Sequence, residues 1–170
     1  AEAVCNEAEA ALAAQLSLES IISKASQRFL AETDLDKSID KCLEEIGHFC
    51  AAGRAFLFQF ASDRPPMHNT HEWCAAPADS QIALLQQFPF DQFGAYCATL
   101  KGLRPVVVSR PADMPPHGQG EREWSEKYGF RPLRFVPMIL KGVLYGTLGF
   151  YGSVDEERDW PEDFALWLKF

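Results

Sequence analysis

The run His68-x-x-His71-x-x-Cys74 carries the donor types of a zinc site, imidazole nitrogen and thiolate sulfur. Such donors must converge on one point, and the local structure decides whether they do. Residues Met67–Cys74 alternate weakly, as a strand would, and on a strand positions three apart point to opposite faces. His71 is therefore expected to face away from His68 and Cys74, and no metal is assigned. Cys42 and Cys50 lie eight residues apart in a helical stretch, about 12 Å along the axis. That separation is too large for a shared ion or a disulfide. The five cysteines form no C-x-x-C pair, and their odd number in a chain of this length fits free, mostly buried thiols in a reducing cytoplasm. No phosphate loop, dinucleotide fingerprint, nucleophile elbow or kinase motif occurs. Glu72, Glu121, Glu123 and Glu126 have no basic catalytic partner that the sequence places, so they read as a solvated face.

The elements that would position these groups follow from periodicity. Residues 7–31 are rich in Ala, Leu, Glu and Gln without Gly or Pro, which predicts a helix. Ala11, Leu18, Ile22, Ala25 and Phe29 form a stripe near heptad spacing, interrupted by Gln15. The stripe fits either a surface helix packed on its own domain or a connector that pairs with a second copy. A second helix is expected from Leu35 to Cys50, burying Leu35, Ile39, Leu43, Ile46 and Phe49, with Thr33 or Asp34 as cap. Arg54–Phe60 reads as a strand with Phe56, Phe58 and Phe60 on one face. After a turn at Ser62–Pro66 comes the partner strand Met67–Cys74. Short helices are expected at Gln81–Gln87 and Asp91–Lys101, then a strand at Val106–Ser109, a loop over 110–120 and a helix at Gly120–Tyr128. A hairpin closes the sheet. Its strands are Arg131–Leu140 and Val143–Tyr151, its turn is Lys141-Gly142, and Leu144, Leu148 and Phe150 should share a face. Asp159-Trp-Pro-Glu162 resembles a capped helix start. The sum is one α+β domain with a largely antiparallel sheet.

Apolar residues make up 47% of the 170 and charged residues 24%, as in an ordinary soluble globular protein. A net charge of −8 excludes the basic footprint of a nucleic-acid binder and gives no attraction to an anionic membrane. No apolar run approaches the ~20 residues that span a bilayer, and no signal peptide is visible, so direct membrane insertion is not expected. The chain opens without Met and stops inside the periodic run Phe164-Ala-Leu-Trp-Leu-Lys-Phe170, as a piece of a longer protein would.

Phe135-Val-Pro-Met-Ile-Leu-Lys-Gly-Val-Leu-Tyr-Gly-Thr-Leu-Gly-Phe150 resembles the closing hairpin of GAF domains. The likeness extends back through Ala52-Gly-Arg-Ala55 after a long helix, through the strand Asn69-Thr-His-Glu-Trp-Cys74, and forward to Asp159–Glu162, covering roughly residues 18–170. It is a resemblance to GAF modules of bacterial multi-domain sensors that carry histidine kinase or GGDEF segments. The resemblance implies a GAF-like (profilin-like) sheet ordered 2-1-5-4-3, with the terminal helices on one face and a pocket under short helices and loops on the other. It divides the chain into a connector helix at 1–17 and a sensor domain at 18–170 whose last helix is cut.

Functionally, the resemblance implies a regulatory module that senses a small molecule, or dimerises, and relays to an output domain elsewhere in a two-component or cyclase protein. The homodimer would form through the terminal helices. Bilin-binding relatives present a Cys, usually followed by His, near the pocket helix. Pro115-Pro-His-Gly-Gln-Gly120 has the His without the adjacent Cys, which argues against a covalent bilin. The cyclic-nucleotide signature Asn-Lys-x-Phe-x-x-x-Asp-Glu is absent, and no cofactor is identified. The pocket lining is expected from Trp73, Phe93, Tyr96, Trp124 and Arg134, suited to a small anionic or planar molecule. Plain core packing is the competing reading for each aromatic, and Arg134, alternating with Phe135, faces either pocket or water. The alternative function is a stand-alone thiol enzyme of the free methionine sulfoxide reductase type using Cys74 and Cys97. A ligand-free dimerisation domain is the third.

Overall fold

A computed structural model of the chain describes residues 2–60, 66–153 and 156–157. Helix α1 runs from Glu2 to Ala31 without a break, as its lack of Gly and Pro allows. Its packed positions are Leu18, Ile21, Ile22, Ala25 and Arg28, a 3.6-residue stripe on its C-terminal half. Phe29, placed on the heptad stripe above, is exposed instead. Helix α2, Leu35–Phe49, starts where the Asp34 carboxylate accepts from the Lys37 N–H at 3.2 Å. It buries Leu43 and half-buries Ile39 and Ile46, whereas Leu35 in its first turn is exposed. The two helices are joined by an ion pair, Arg28 Nη2 to Glu45 Oε1 at 2.8 Å.

The sheet contains β1 (Arg54–Phe60), β2 (Met67–Cys74), β3 (Val106–Val108), β4 (Leu133–Leu140) and β5 (Val143–Tyr151), ordered β2-β1-β5-β4-β3 and antiparallel throughout. Alternation along β1 divides the core. Phe56, Phe58 and Phe60 enter the larger cluster on one face, while Ala55 packs with Phe150, Leu43 and Leu148 under α2 on the other. Gly47 permits the α2 contact, because a Cβ there would lie 2.4 Å from the Trp73 ring. At the β4–β5 turn Lys141 and Gly142 both take positive φ, 51° and 78°, the geometry a two-residue hairpin with right-handed twist requires.

Two bulges redirect side chains that strict alternation would misplace. Thr70 has no partner on β1, since Leu57 pairs with His71 and Phe58 with Asn69. Tyr145 is passed over in the same way between Met138 and Ile139 of β4, so Leu144 packs into the larger cluster while Leu148 and Phe150 face α2. The shared face expected for these three residues is therefore not formed. Above the larger cluster lie α3 (Gly94–Lys101) and α4 (Gln119–Tyr128). The helix expected at Gln81–Gln87 is a series of turns, with Gln87 at φ 53°. It covers the free edge of β2 through Asn69 N–H to Leu85 C=O and a reciprocal Met67–Phe88 pair, a use of backbone that a helix cannot offer. The expected turn at 62–66 falls mainly, and the helix start at 159–162 wholly, outside the described residues.

Candidate functional site

The face of the sheet under α3 and α4 holds two adjoining cavities of about 40 and 30 Å³. Phe93, Tyr96, Trp124 and Tyr151 line both. The floor of the first comes from β1 and β2, with Arg54, Phe58 and Met67, and its far walls are Phe88, Phe90 and Phe135. Outside, an open groove of about 510 Å³ runs along α4 and is again bordered by Phe93 and Trp124. These two rings, 5.7 Å apart, separate the interior from the groove.

Arg54 is the buried cation of the first cavity, at 4% exposure. Its guanidinium lies 4.6 Å from the Phe56 ring centre and 4.8 Å from that of Tyr151. Its Nε is 3.4 Å from Glu72 Oε2, and Nη1 donates to Gln81 Oε1. Glu72 in turn accepts from Ser80 Oγ at 2.6 Å, the Gln81 N–H at 2.9 Å and Asn69 Nδ2 at 3.1 Å. The pair therefore ties the turn region after β2 to the sheet. Burial lowers the Arg54 pKa, opposed by Tyr151 and Glu72, without changing its charge at neutral pH.

Glu121 organises the second cavity. On α4 it is 3% exposed, and its Oε1 accepts from the N–H groups of Ala95 and Tyr96 at 2.9 and 3.0 Å. It thereby caps α3, whose own N-cap residue Phe93 supplies no side-chain bond. The solvated role expected for Glu121 and Glu72 from sequence is overturned for both. Tyr96 and Tyr151 have their phenol pKa values raised, by burial first, and both stay protonated.

Of the five expected lining residues, Phe93, Tyr96 and Trp124 meet in the cavity walls. Trp73 and Arg134 do not. Trp73 pairs with Ala55 and so points to the α2 face, with its ring 4.7 Å from that of His48. Arg134 sits opposite Phe150 and Val107 on the same α2 face, buried and with burial lowering its pKa. It faces neither the pocket nor water. Sequence reading missed Arg54, although the Phe56-Phe58-Phe60 stripe extends to it by simple alternation.

The metal geometry is also corrected in detail. The bulge at Thr70 brings His68 and His71 to the same side by register and leaves Cys74 on the other. His71 Nε2 instead meets Asp36 Oδ1 at 3.2 Å. Among the described residues no three His, Cys, Asp or Glu side chains are grouped to hold an ion. None of the five cysteines is in a disulfide. Burial, then the adjacent Glu72, pushes the Cys74 thiol up to about 12, and Cys97 is buried in the core. No described helix is long and apolar enough to cross a membrane.

Comparison with known proteins bears on this architecture. The family model of the GAF domain matches residues 34–168. The methanogenesis regulatory histidine kinase FilI of Methanothrix harundinacea is 29% identical over 142 residues, covering 80% of the chain but 15% of that protein. The chain thus spans about a seventh of the curated relative it matches. The phycoerythrobilin-bound GAF domain of a cyanobacterial phytochrome superposes with a TM-score of 0.72 at 17% identity, over 90% of this chain and 89% of that one. The GAF domain of an Acinetobacter phosphoenolpyruvate-protein phosphotransferase gives 0.64 at 10% identity, over 89% and 85%. Bilin-bound structures recur among such neighbours. No cysteine lines either of these cavities or the groove, and each cavity has room for only a few waters.

Proposed function

Since the chain belongs to the GAF-domain family, we propose that it is a regulatory module that binds a small molecule in the two cavities beneath α3 and α4 and passes the change to an output segment of a longer signalling protein. The observation that carries this reading is the aromatic partition of Phe93 and Trp124 between a buried, mostly apolar interior and an open groove. A site of this form sequesters a small ligand and reports its arrival by moving two helices. The module regulates and does not catalyse. It works in the cytoplasm, and its ligand is held without a covalent bond. The test is native mass spectrometry of the freshly purified chain for a bound small molecule, with Trp124 fluorescence as the reporter when that molecule is added back. A chain with no bound mass, and with emission unmoved by a broad metabolite panel, overturns it.

The thiol-enzyme alternative needs a thiolate near neutral pH. Cys74 is held in the opposite direction by burial and Glu72, and Cys97 is closed off. The expected result with a disulfide reagent at pH 7.5 is fast reaction of exposed Cys5 and no reaction of Cys74 until the chain unfolds, read by peptide mapping. Turnover of free methionine sulfoxide by the native chain would reverse this assignment.

Output in this reading runs through a homodimer formed by α1. Its first half stands clear of the domain, with Leu12 and Leu16 56% and 57% exposed one turn apart. Pairing with a second copy would cover both. The double substitution Leu12→Glu, Leu16→Glu is expected to shift sedimentation from dimer to monomer while leaving the unfolding midpoint of the sheet domain in place. A wild-type chain that is monomeric at 100 μM, on the order of working concentrations, would remove the dimer from the proposal.

A further inference from the structure

The second cavity combines two features that together specify a charge. Glu121 is almost fully buried, and while Oε1 takes the two N–H groups of α3, Oε2 has no hydrogen-bond partner. A buried carboxylate oxygen left unpaired is costly, so it calls for a donor. The same cavity is walled by the rings of Phe93, Tyr96, Trp124, Tyr128, Phe130 and Tyr151. Trp124 and Tyr128 lie 4.3 Å apart at a tilt of 40°, two adjoining walls of a cage. Ring faces carry negative potential and attract cations, most strongly where water is excluded.

None of the cations already nearby meets the free Glu121 oxygen, although Lys127 Nζ lies 5.0 Å from the centre of the Tyr128 ring. Arg54, in the first cavity, is held by Glu72 and Gln81. Arg131, which also borders the second cavity, donates to the Gly152 carbonyl at 3.4 Å. Neither reaches Glu121 Oε2 as a hydrogen-bond donor.

The geometry points to a small alkylammonium ion as the ligand: its N–H donates to Glu121 Oε2 and its methyl or methylene groups pack on the aromatic cage. This rests on the reading of the cavities as a ligand site and narrows it to one chemical class. The second cavity, of about 30 Å³, sets the size, a cation of a few non-hydrogen atoms rather than a nucleotide or a tetrapyrrole.

The test uses three probes of one shape and different charge: tert-butylammonium, tert-butanol and pivalate, each titrated against the chain with sodium chloride held constant. The unfolding midpoint is followed, and ammonium chloride serves as the salt control. A saturable rise with tert-butylammonium alone is expected. Glu121→Gln keeps a carbonyl for the two α3 N–H groups but replaces the free acceptor with a donor. It should therefore stay folded by circular dichroism and weaken the cation on the order of tenfold, as losing one buried charge-assisted hydrogen bond demands. Tyr128→Leu removes a cage wall with the carboxylate intact, and it should weaken tert-butylammonium without creating binding of tert-butanol. An equal rise with tert-butanol or pivalate, or full affinity in Glu121→Gln, overturns the inference. So does a neutral or anionic molecule found bound by native mass spectrometry, although that result leaves the sensing role standing. Silence from all three probes removes the cation, whereas the sensing role falls only when no bound mass is found and a broad metabolite panel leaves the fluorescence unmoved.

Discussion

Arg54→Met is expected to destabilise the domain by ~3–5 kcal/mol, the cost of leaving one member of a buried ion pair without its partner. Glu72 has a side chain only 2% exposed, and without the guanidinium its charge would be compensated only by neutral donors, Asn69, Ser80 and the Gln81 N–H. The lost packing of Arg54 on the Phe56 and Tyr151 rings adds to this, and Met replaces part of that volume. The double variant Arg54→Met, Glu72→Met should recover a large part of the loss, because removing both charges also removes the desolvation cost. Urea unfolding of the single and double variants measures this. A double variant worse than the sum of the singles would show that the pair acts through shape alone.

The sheet was legible because its signals are local. Alternation gave β1, a Lys-Gly pair gave the β4–β5 turn, and the helix formers of α1 have no competing signal. The hairpin Phe135–Phe150 also carried the family likeness, which supplied the strand order that periodicity alone cannot give. The site was less legible, and for a physical reason. A bulge shifts register by one residue, which moves every later side chain to the other face. Trp73 is expected in the pocket, and Leu144 on one face with Leu148 and Phe150, and in each case a bulge puts the residue on the other face. Arg134 failed differently. Charged residues are expected in water or in a site, and its burial among Phe150 and Val107 under α2 follows no sequence pattern. Glu121 was read as surface because its partners, the first N–H groups of α3, lie some 25 residues away in the chain. Contacts of that kind come from the fold and have no motif.

Phe56→Ala is expected to cost ~3–5 kcal/mol, which lowers the unfolding midpoint by about 10 °C in a domain of this size. Phe56 is fully buried on β1, an inner strand of the sheet, and meets three aromatic rings and one guanidinium at once. Phe58 and Phe135 approach edge-on at 5.4 and 5.9 Å, Tyr151 stacks at 5.3 Å, and Arg54 lies over its face. Its ring also fills the space left by Gly149 on β5, where a Cβ would lie 2.3 Å from it. Collapse into the vacated volume is therefore blocked by the sheet backbone on one side and by rigid rings on the others, which places the loss at the upper end for a large-to-small change. The contrast is Phe29→Ala on α1, the same deletion at a residue 42% exposed, expected to change stability by less than about 1 kcal/mol. The cavity opened at Phe56 would adjoin the first cavity, since Phe58, Phe135, Tyr151 and Arg54 line both. A small apolar solute such as benzene should then recover part of the lost stability in Phe56→Ala and none in the wild type. Calorimetry with and without benzene reads the effect. An unchanged midpoint in the variant would mean that Phe56 does not hold the two sides of the pocket together.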